Sequence, residues 1–445
     1  MEIVVTPTAT VPQTSERARR RIMRRIVPYI FLLYIIAFLD RVNVGYAALE
    51  MTKALGFSAK VYGLGAGIFF IGYFLLEIPG TLIVERWGAR RWISRIMISW
   101  GLIAVLMGFM NTAKQFYLLR FLLGAAEAGF FPGIIVYLSH WFRYEDRAKT
   151  VALFMAAIPI SNIIGAPVSG LILGVHWFGM EGWRWLFIIE AAPAIIFGVV
   201  TLFYLTDWPH KADWLAADER DWITTELEKE KQLKLQTRSF SILEAFKHRE
   251  VILLALAYFL SVTSSYGLAF WLPTIVKRIS GSSNFQVSLI SVLPYCVALV
   301  SMLLIGWSSD RKRERRRHSA LSMITASLAF LFAALLREHL IPTVALLCVA
   351  AGGVYGCLPS FWALPTKFLT GSAAAASIGL INSIGNLGGF LGPFVVGYVN
   401  TATGSFLGGV LCLSLSALLS GIVILVLRQE HQTAVMAGAT SPFAS

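Results

Sequence analysis

Residues Val27–Leu49 read VPYIFLLYIIAFLDRVNVGYAAL, and this stretch decides the fold. At about 1.5 Å of rise per residue, a helix of this length crosses the roughly 30 Å hydrocarbon core of a bilayer. Two ionisable residues, Asp40 and Arg41, stand side by side within it. An ionised side chain at that depth costs roughly 2.5–3.5 kcal/mol on insertion scales, so such residues point to function by default. A second apolar run, Phe116 to Tyr137, carries Arg120 and Glu127. Seven residues is nearly two helical turns, which puts these two on one face about 10 Å apart along the axis. Four charges on two spans outline a solute pathway.

Composition points the same way. Hydrophobic residues make up 57% of the 445 and charged residues 14%, a balance that would leave a soluble protein covered in apolar surface. The net charge of +13 comes from short basic clusters between apolar runs. That distribution fits membrane topology and argues against nucleic acid as a partner. Cys296, Cys348, Cys357 and Cys412 lie in apolar segments without paired or metal-like spacing, and read as small core residues. No disulfide, metal site or cofactor is expected. The hydrophilic segments hold no Ser/His/Asp, Cys/His or metal-ligand cluster that would mark an enzyme.

Apolar runs predict twelve helices, at about 27–49, 60–84, 92–111, 115–139, 148–174, 183–206, 251–273, 286–309, 318–337, 341–366, 372–399 and 404–428. The N-terminus is polar and then basic, with Arg17, Arg19, Arg20, Arg21, Arg24 and Arg25 ahead of the first span. It lacks a signal-peptide cleavage pattern and runs directly into a full-length span, so it is expected to remain in the cytoplasm. With that orientation, cytoplasmic segments hold 29 of the 38 Lys and Arg residues. The opposite side holds Lys53, Lys60, Lys114, Arg184, Lys277, Arg278 and Arg337, and the asymmetry predicts a multi-pass protein of the cell's inner membrane with both termini cytoplasmic.

The expected organisation is a basic N-terminus (1–26), a six-helix bundle (27–206), a cytoplasmic linker (207–250), a second six-helix bundle (251–428) and a cytoplasmic tail (429–445). The linker's charged residues alternate with Leu215, Trp222, Ile223 and Leu227, which suggests amphipathic helices on the membrane surface. The halves also repeat a local pattern. Gly80 through Glu85-Arg86-Trp87-Gly88-Ala89-Arg90-Arg91 follows the second span, and Gly306 through Asp310-Arg311-Lys312-Arg313 follows the eighth. Repeated loops at matching places indicate duplicated six-helix units.

At these loops the chain resembles the major facilitator superfamily, whose signature after the second helix is Gly-x-x-x-Asp-Arg-x-Gly-Arg-Arg, with Glu85 here in place of the Asp. The resemblance covers about residues 15–430 and implies an all-α membrane protein with twelve transmembrane helices in two six-helix halves, the major facilitator fold. It also implies that Glu85, Arg86, Asp310 and Arg311 latch a gate; the plainer alternative makes them topological anchors. Three further stretches, Asp40-Arg41-Val42-Asn43-Val44-Gly45-Tyr46-Ala47, Arg120 through Glu127-Ala128-Gly129, and Trp208-Pro209-His210-Lys211-Ala212-Asp213-Trp214-Leu215, resemble the anion:cation symporter family. That family includes permeases for galactonate, glucarate, tartrate, phthalate and hydroxyphenylacetate. The Asp-Arg-Val-Asn-Val-Gly form is more similar to the tartrate, phthalate and hydroxyphenylacetate permeases.

Chemistry assigns roles to the buried charges. Arg41 stays protonated and offers a planar fork matched to a carboxylate, so it is the expected substrate anchor. Asp40 and Glu127 are the expected proton carriers, because burial favours the neutral carboxyl and a neighbouring arginine the charged one. The resemblance assigns the same coupling role to these acids and makes Arg120 the tuner of Glu127. The alternative is a static network pairing Asp40 with Arg120 and Arg41 with Glu127.

By resemblance, Tyr73, Trp362 and Asn382 contact substrate, with a core role open for Tyr73 and a packing role for Asn382 and Asn386. Ser161 and Asn162 are further polar positions, although the glutamine that the family carries there is absent. Glu190 is expected to pair structurally and His140 to be solvated. Phe38, Tyr266, Trp271 and Trp362 suit an organic body bearing the carboxylate. The expected function is import of a small organic anion (a sugar, hydroxy or aromatic acid) by proton symport with alternating access, the protein acting as a monomer with protons and the lipid bilayer as partners. An anion exchanger or uniporter of the same fold is the alternative, followed by a drug:proton antiporter, which Arg41 and Arg120 disfavour, and a non-transporting sensor.

Overall fold

The structure, a computed structural model, describes residues 11–143, 146, 155–235, 248–336, 338–365 and 371–427. No strand occurs among them. The helices are α1 (Val11–Ala54), α2 (Ala59–Trp87), α3 (Ala89–Met107), α4 (Ala113–Glu127), α5 (Phe130–Ser139), α6 (Ala157–Ile172), α7 (Gly182–Tyr204), α8 (Ala217–Leu235), α9 (Arg249–Ser280), α10 (Asn284–Ile290), α11 (Val292–Lys312), α12 (Arg316–Leu335), α13 (Leu340–Trp362), α14 (Gly371–Asn386), α15 (Gly388–Thr403) and α16 (Phe406–Val426).

Among the described residues, ten helical stretches are long and apolar enough to cross a membrane. Three of them are built from consecutive pairs, α4 with α5, α10 with α11, and α14 with α15. The shorter apolar α6 and the arginine-bearing α3 occupy the two remaining positions at which the sequence predicts spans. With every backbone polar group bonded inside its own segment, helices satisfy the bilayer's main constraint. Large apolar side chains such as Leu171, Phe203, Leu303, Leu304 and Ile341 remain more than half exposed, as a lipid-facing surface requires.

Local sequence sets the helix ends. Ser58 caps α2 by accepting from the Val61 amide, and Thr112 with Gln115 forms a reciprocal capping box at α4. Residues 115–139, expected as one span, bend at Gly129, whose φ of +85° is left-handed and suits glycine alone. There α2 comes so close that a Cβ on Gly129 would lie 3.1 Å from the Gly80 Cα. The break falls two residues after Glu127.

The 44 residues of α1 give it a length of about 66 Å, twice the hydrocarbon core, so its arginine-rich start projects beyond the membrane. That end defines what is called here the N-terminal side. A matching joint recurs in both halves there. Arg90 at the start of α3 donates to the Leu202 carbonyl near the end of α7 at 3.2 Å, and Arg316 at the start of α12 donates to the Leu427 carbonyl just past α16 at 2.5 Å.

The halves meet through α2 against α15, α1 against α9, and α6 against α10 and α11. On the side distal to the N-terminus this seam is tight. A Cβ on Gly63 would lie 2.4 Å from the Pro393 carbonyl oxygen. Tyr62 donates to the Phe270 carbonyl at 2.8 Å, Trp271 to the Pro393 carbonyl at 3.1 Å, and Asn284 to Glu50 at 2.8 Å. Trp271, expected near an organic substrate, is therefore a seal between α9 and α15, packed edge-on against Tyr62.

Candidate transport site

Consecutive residues on a helix point about 100° apart, and this separates Asp40 from Arg41. Arg41 faces the seam between the halves. Its guanidinium pairs with Glu127 of α4 and donates to the Tyr266 hydroxyl of α9 at 3.1 Å. Three rings surround it: Phe38 at 4.9 Å, Tyr73 at 5.4 Å and Phe69 at 5.5 Å from guanidinium carbon to ring centroid. Arg41 is 8% exposed and Glu127 2%. A charge pair this deep persists only with good geometry and further partners, and the rings and the Tyr266 hydroxyl supply them. The Arg41 Nε has no hydrogen-bond partner. The arrangement presents a fixed cation with its Nε–H unused at the boundary of the two halves, and its counter-ion is a carboxylate, a group that can take up a proton.

Asp40 faces the other way, into the N-terminal half. It accepts a hydrogen bond from the Trp100 indole of α3 at 2.8 Å, and its other oxygen has no partner. Glu190 of α7 is also buried; Ser169 donates to it at 2.7 Å and its second oxygen is likewise unpartnered. Arg120 is fully buried and held by the α2 backbone, donating to the Gly65 carbonyl at 3.3 Å and the Ala66 carbonyl at 3.1 Å. Of the two pairs in the static network, the structure contains Arg41 with Glu127; Asp40 is bonded to Trp100, not to Arg120.

Close packing of α2 on α4 explains the position of Arg120. A Cβ on Gly72 or Gly124 would lie within about 2 Å of a carbonyl oxygen of the other helix. The arginine therefore lies against the α2 backbone, and its hydrogen bonds go to the Gly65 and Ala66 carbonyls and not to a carboxylate.

Tyr73 is buried beside Arg41. Trp362 packs edge-on to Tyr258 with centroids 4.8 Å apart, and its indole N–H has no partner. Asn382 binds an acid that the sequence reading passed over: it donates to Glu77 Oε1 of α2 at 2.7 Å, while Ser383 donates to Oε2 at 2.9 Å. Glu77 is 3% exposed. The signal available was a carboxylate inside an apolar run, the same signal that marked Asp40, within the predicted span 60–84. Pro79 sits inside α2, as the predicted span has it.

Ser161 and Asn162 both donate to the Ile158 carbonyl of their own helix, at 2.7 and 2.9 Å. His140 stacks on Trp208 with centroids 4.1 Å apart. Among the four expected latch residues, the Glu85 side chain lies outside the described residues. Arg86 is exposed, Asp310 pairs with Arg315 five residues on, and Arg311 lies over Trp307 of its own helix at 5.4 Å. In this conformation the described acid that joins the halves on the N-terminal side of the Arg41 site is Glu77.

Comparison with known proteins places this geometry in a family. The sequence pattern of the Major Facilitator Superfamily matches residues 30–393. A protein of Agrobacterium vitis named "Putative tartrate transporter" is 48% identical over 420 residues, 94% of this chain and 93% of its own. The "Quinolone resistance transporter" of Acinetobacter baumannii is 39% identical over 420 residues, 93% of this chain and 96% of its own. Among solved structures, a bacterial homologue of the human lysosomal transporter Spinster, in an inward-facing and unoccupied conformation, superposes with a TM-score of 0.71 at 18% identity, covering 94% of this chain and 96% of that one. This last likeness shows the fold alone. With twelve helix positions, paired charges at the seam and a family match over most of its length, the chain belongs to the Major Facilitator Superfamily and is a multi-pass membrane transporter, not an enzyme.

Proposed function

We propose that the protein imports a small organic carboxylate by proton symport, with Arg41 as the anchor for the anion and Glu127 as its exchangeable counter-ion. One observation carries the reading. The Arg41 guanidinium is held at the seam by an acid from one half and a hydroxyl from the other, with a donor to spare. A carboxylate entering between the halves competes with Glu127 for that fork, and a proton on Glu127 decides the competition. Tyr73, Trp362 and Asn382 complete the substrate surface. Asp40 is the second proton carrier, and Arg120 tunes Glu127. The relative from Agrobacterium vitis makes tartrate the first carboxylate to try. The positive-inside asymmetry supports the cytoplasm as the N-terminal side and the inner membrane as the location, with the protein working as a monomer.

The seam on the distal side closes, while on the N-terminal side Glu77 holds the halves through polar contacts that include Asn382 and Ser383, which supports alternating access with the N-terminal side as the next to open. The test is uptake of labelled tartrate into proteoliposomes under an imposed pH gradient. Accumulation that collapses with a protonophore supports symport; tartrate-for-tartrate exchange with no response to the gradient would overturn it in favour of an exchanger. The likeness to the quinolone resistance transporter motivates a second arm. Gradient-driven efflux of a quinolone without carboxylate uptake would reverse the assigned direction.

A further inference from the structure

Six arginines precede the first span, and positive-inside topology requires only that they be numerous. Their placement goes further. Arg17, Arg20, Arg21, Arg24 and Arg25 follow the i, i+3, i+4, i+7, i+8 spacing that keeps side chains on one face of a helix, whereas Arg19 points elsewhere and pairs with Asp146. The arginine face looks into an open cleft of about 740 Å³, away from the Arg41 site, bounded by α1, the end of α7 at Tyr204, Trp214 and Glu219 at the start of α8.

Its charge is only partly balanced. Arg17 pairs with Asp218 at 2.5 Å, Arg20 with Glu16 at 2.9 Å and Arg21 with Glu219 at 2.8 Å. Arg24 and Arg25 have no carboxylate partner among the described residues. The Arg25 guanidinium carbon lies 4.7 Å from the Tyr204 ring centroid and 5.0 Å from that of Trp214, a cation–π setting that leaves its N–H donors available to an anion. Arg24 is exposed beside it.

Depth identifies the acceptor. The span α7 ends at Tyr204, so the cleft lies where the hydrocarbon core gives way to headgroups, and an aromatic floor is characteristic of that level. Phosphate oxygens accept from the guanidinium fork in pairs, and anionic headgroups are drawn to basic clusters beside a span.

We propose that the arginine face of α1, with Tyr204 and Trp214 beneath it, is a binding site for the phosphate of an anionic phospholipid in the leaflet on the N-terminal side. Such a lipid would be held on α1 by Arg24 and Arg25, which lack a carboxylate partner among the described residues. This reading is independent of the substrate.

The experiment uses the full-length protein in nanodiscs of phosphatidylcholine with increasing phosphatidylglycerol. Melting temperature and lipids retained in native mass spectrometry are measured for the native chain, for Arg24→Gln/Arg25→Gln, and for a Lys229→Gln/Lys231→Gln control that removes equal charge from the exposed face of α8. The native chain and the control should retain phosphatidylglycerol in preference to phosphatidylcholine and melt higher as its fraction rises. The arginine variant should bind it about 25-fold more weakly, since each of the two arginines near an anionic surface counts for roughly fivefold. Equal retention by the arginine variant and the native chain would overturn the site. So would an equal loss in the control, which would reduce the effect to overall charge. Inorganic phosphate and glycerol phosphate form a separate arm: stabilisation by these soluble anions matching that by the lipid would overturn the lipid as source.

Discussion

Glu77 and Asn382 join the two halves at 2.7 Å although 305 residues separate them. With Ser383 on the second oxygen, both lobes of one buried carboxylate are committed to α14. Breaking such a contact leaves three polar groups unsatisfied unless water enters, so Glu77 ties the closing of this seam to its dryness.

Glu77→Ala should therefore loosen the N-terminal side. Hydrogen bonds to a charged group count for about 1.5–3 kcal/mol, but interhelical bonds in membranes average near 0.6 kcal/mol. The smaller figure applies because water replaces the partners on opening. Two bonds then shift the equilibrium about sevenfold towards open. The readout is thiol labelling of Gly379→Cys, one turn before Asn382, in a background lacking Cys296, Cys348, Cys357 and Cys412. Labelling at the parental rate would remove Glu77 from the gate.

Arg41→Lys and Arg41→Ala separate charge from shape. Lysine keeps a cation for Glu127 but loses the fork that also reaches Tyr266. Carboxylate affinity should fall by at least tenfold in Lys and beyond detection in Ala, about the loss expected when a bidentate charge-assisted pair goes. Calorimetry with tartrate on purified, monodisperse protein checks this. Undiminished affinity in the Ala variant would place the anion elsewhere.

What the sequence made legible follows from what lipid penalises. Asp40, Arg41, Arg120 and Glu127 stood out because charge in an apolar run is costly wherever it points. Direction was not legible. Neighbouring residues Asp40 and Arg41 point about 100° apart on α1 and serve different faces, and their partners, Trp100 for Asp40 and Glu127 with Tyr266 for Arg41, show which is which. Arg120 looked like a partner for an acid because side chains can be counted in a sequence, whereas its true partners are the backbone carbonyls of Gly65 and Ala66. Glu77 lies in the predicted second span as a lone carboxylate without the paired arginine that marks the other two sites, and its partners come from the other half of the chain. The break after Glu127 had only Gly129 to announce it, among many glycines that permit close helix packing instead.

Glu127→Gln should behave as a carrier locked in its protonated form. The amide is nearly isosteric and leaves Arg41 without its anionic partner, so substrate binding and exchange persist. Accumulation driven by a pH gradient should vanish, because no proton travels with the anion. Proteoliposomes separate the two: counterflow near the native rate with gradient-driven uptake reduced to background. Native accumulation in the variant would make the Arg41–Glu127 pair purely structural.

The sign of the pH dependence follows from the same competition. At high pH the ionised Glu127 occupies the Arg41 fork, and a substrate carboxylate must displace it while also meeting repulsion from the acids. Lowering the pH protonates Glu127, which frees Arg41 and removes that repulsion, so affinity rises as pH falls. One linked proton sets a ceiling of about tenfold per pH unit. Asp40 is bonded to Trp100 on the far face of α1 and adds only a through-space contribution, so Glu127→Gln alone should remove most of the slope and Asp40→Asn/Glu127→Gln the remainder. Reciprocity requires the substrate to draw protons onto the protein, visible as alkalinisation of a weakly buffered solution on mixing. Dissociation constants between about pH 5.5 and 8.5, a range chosen to bracket buried carboxyls, test the first half with a carboxylate that stays ionised throughout. A flat profile in the native protein together with no proton uptake would sink symport, because the anion and the proton would then share no binding energy.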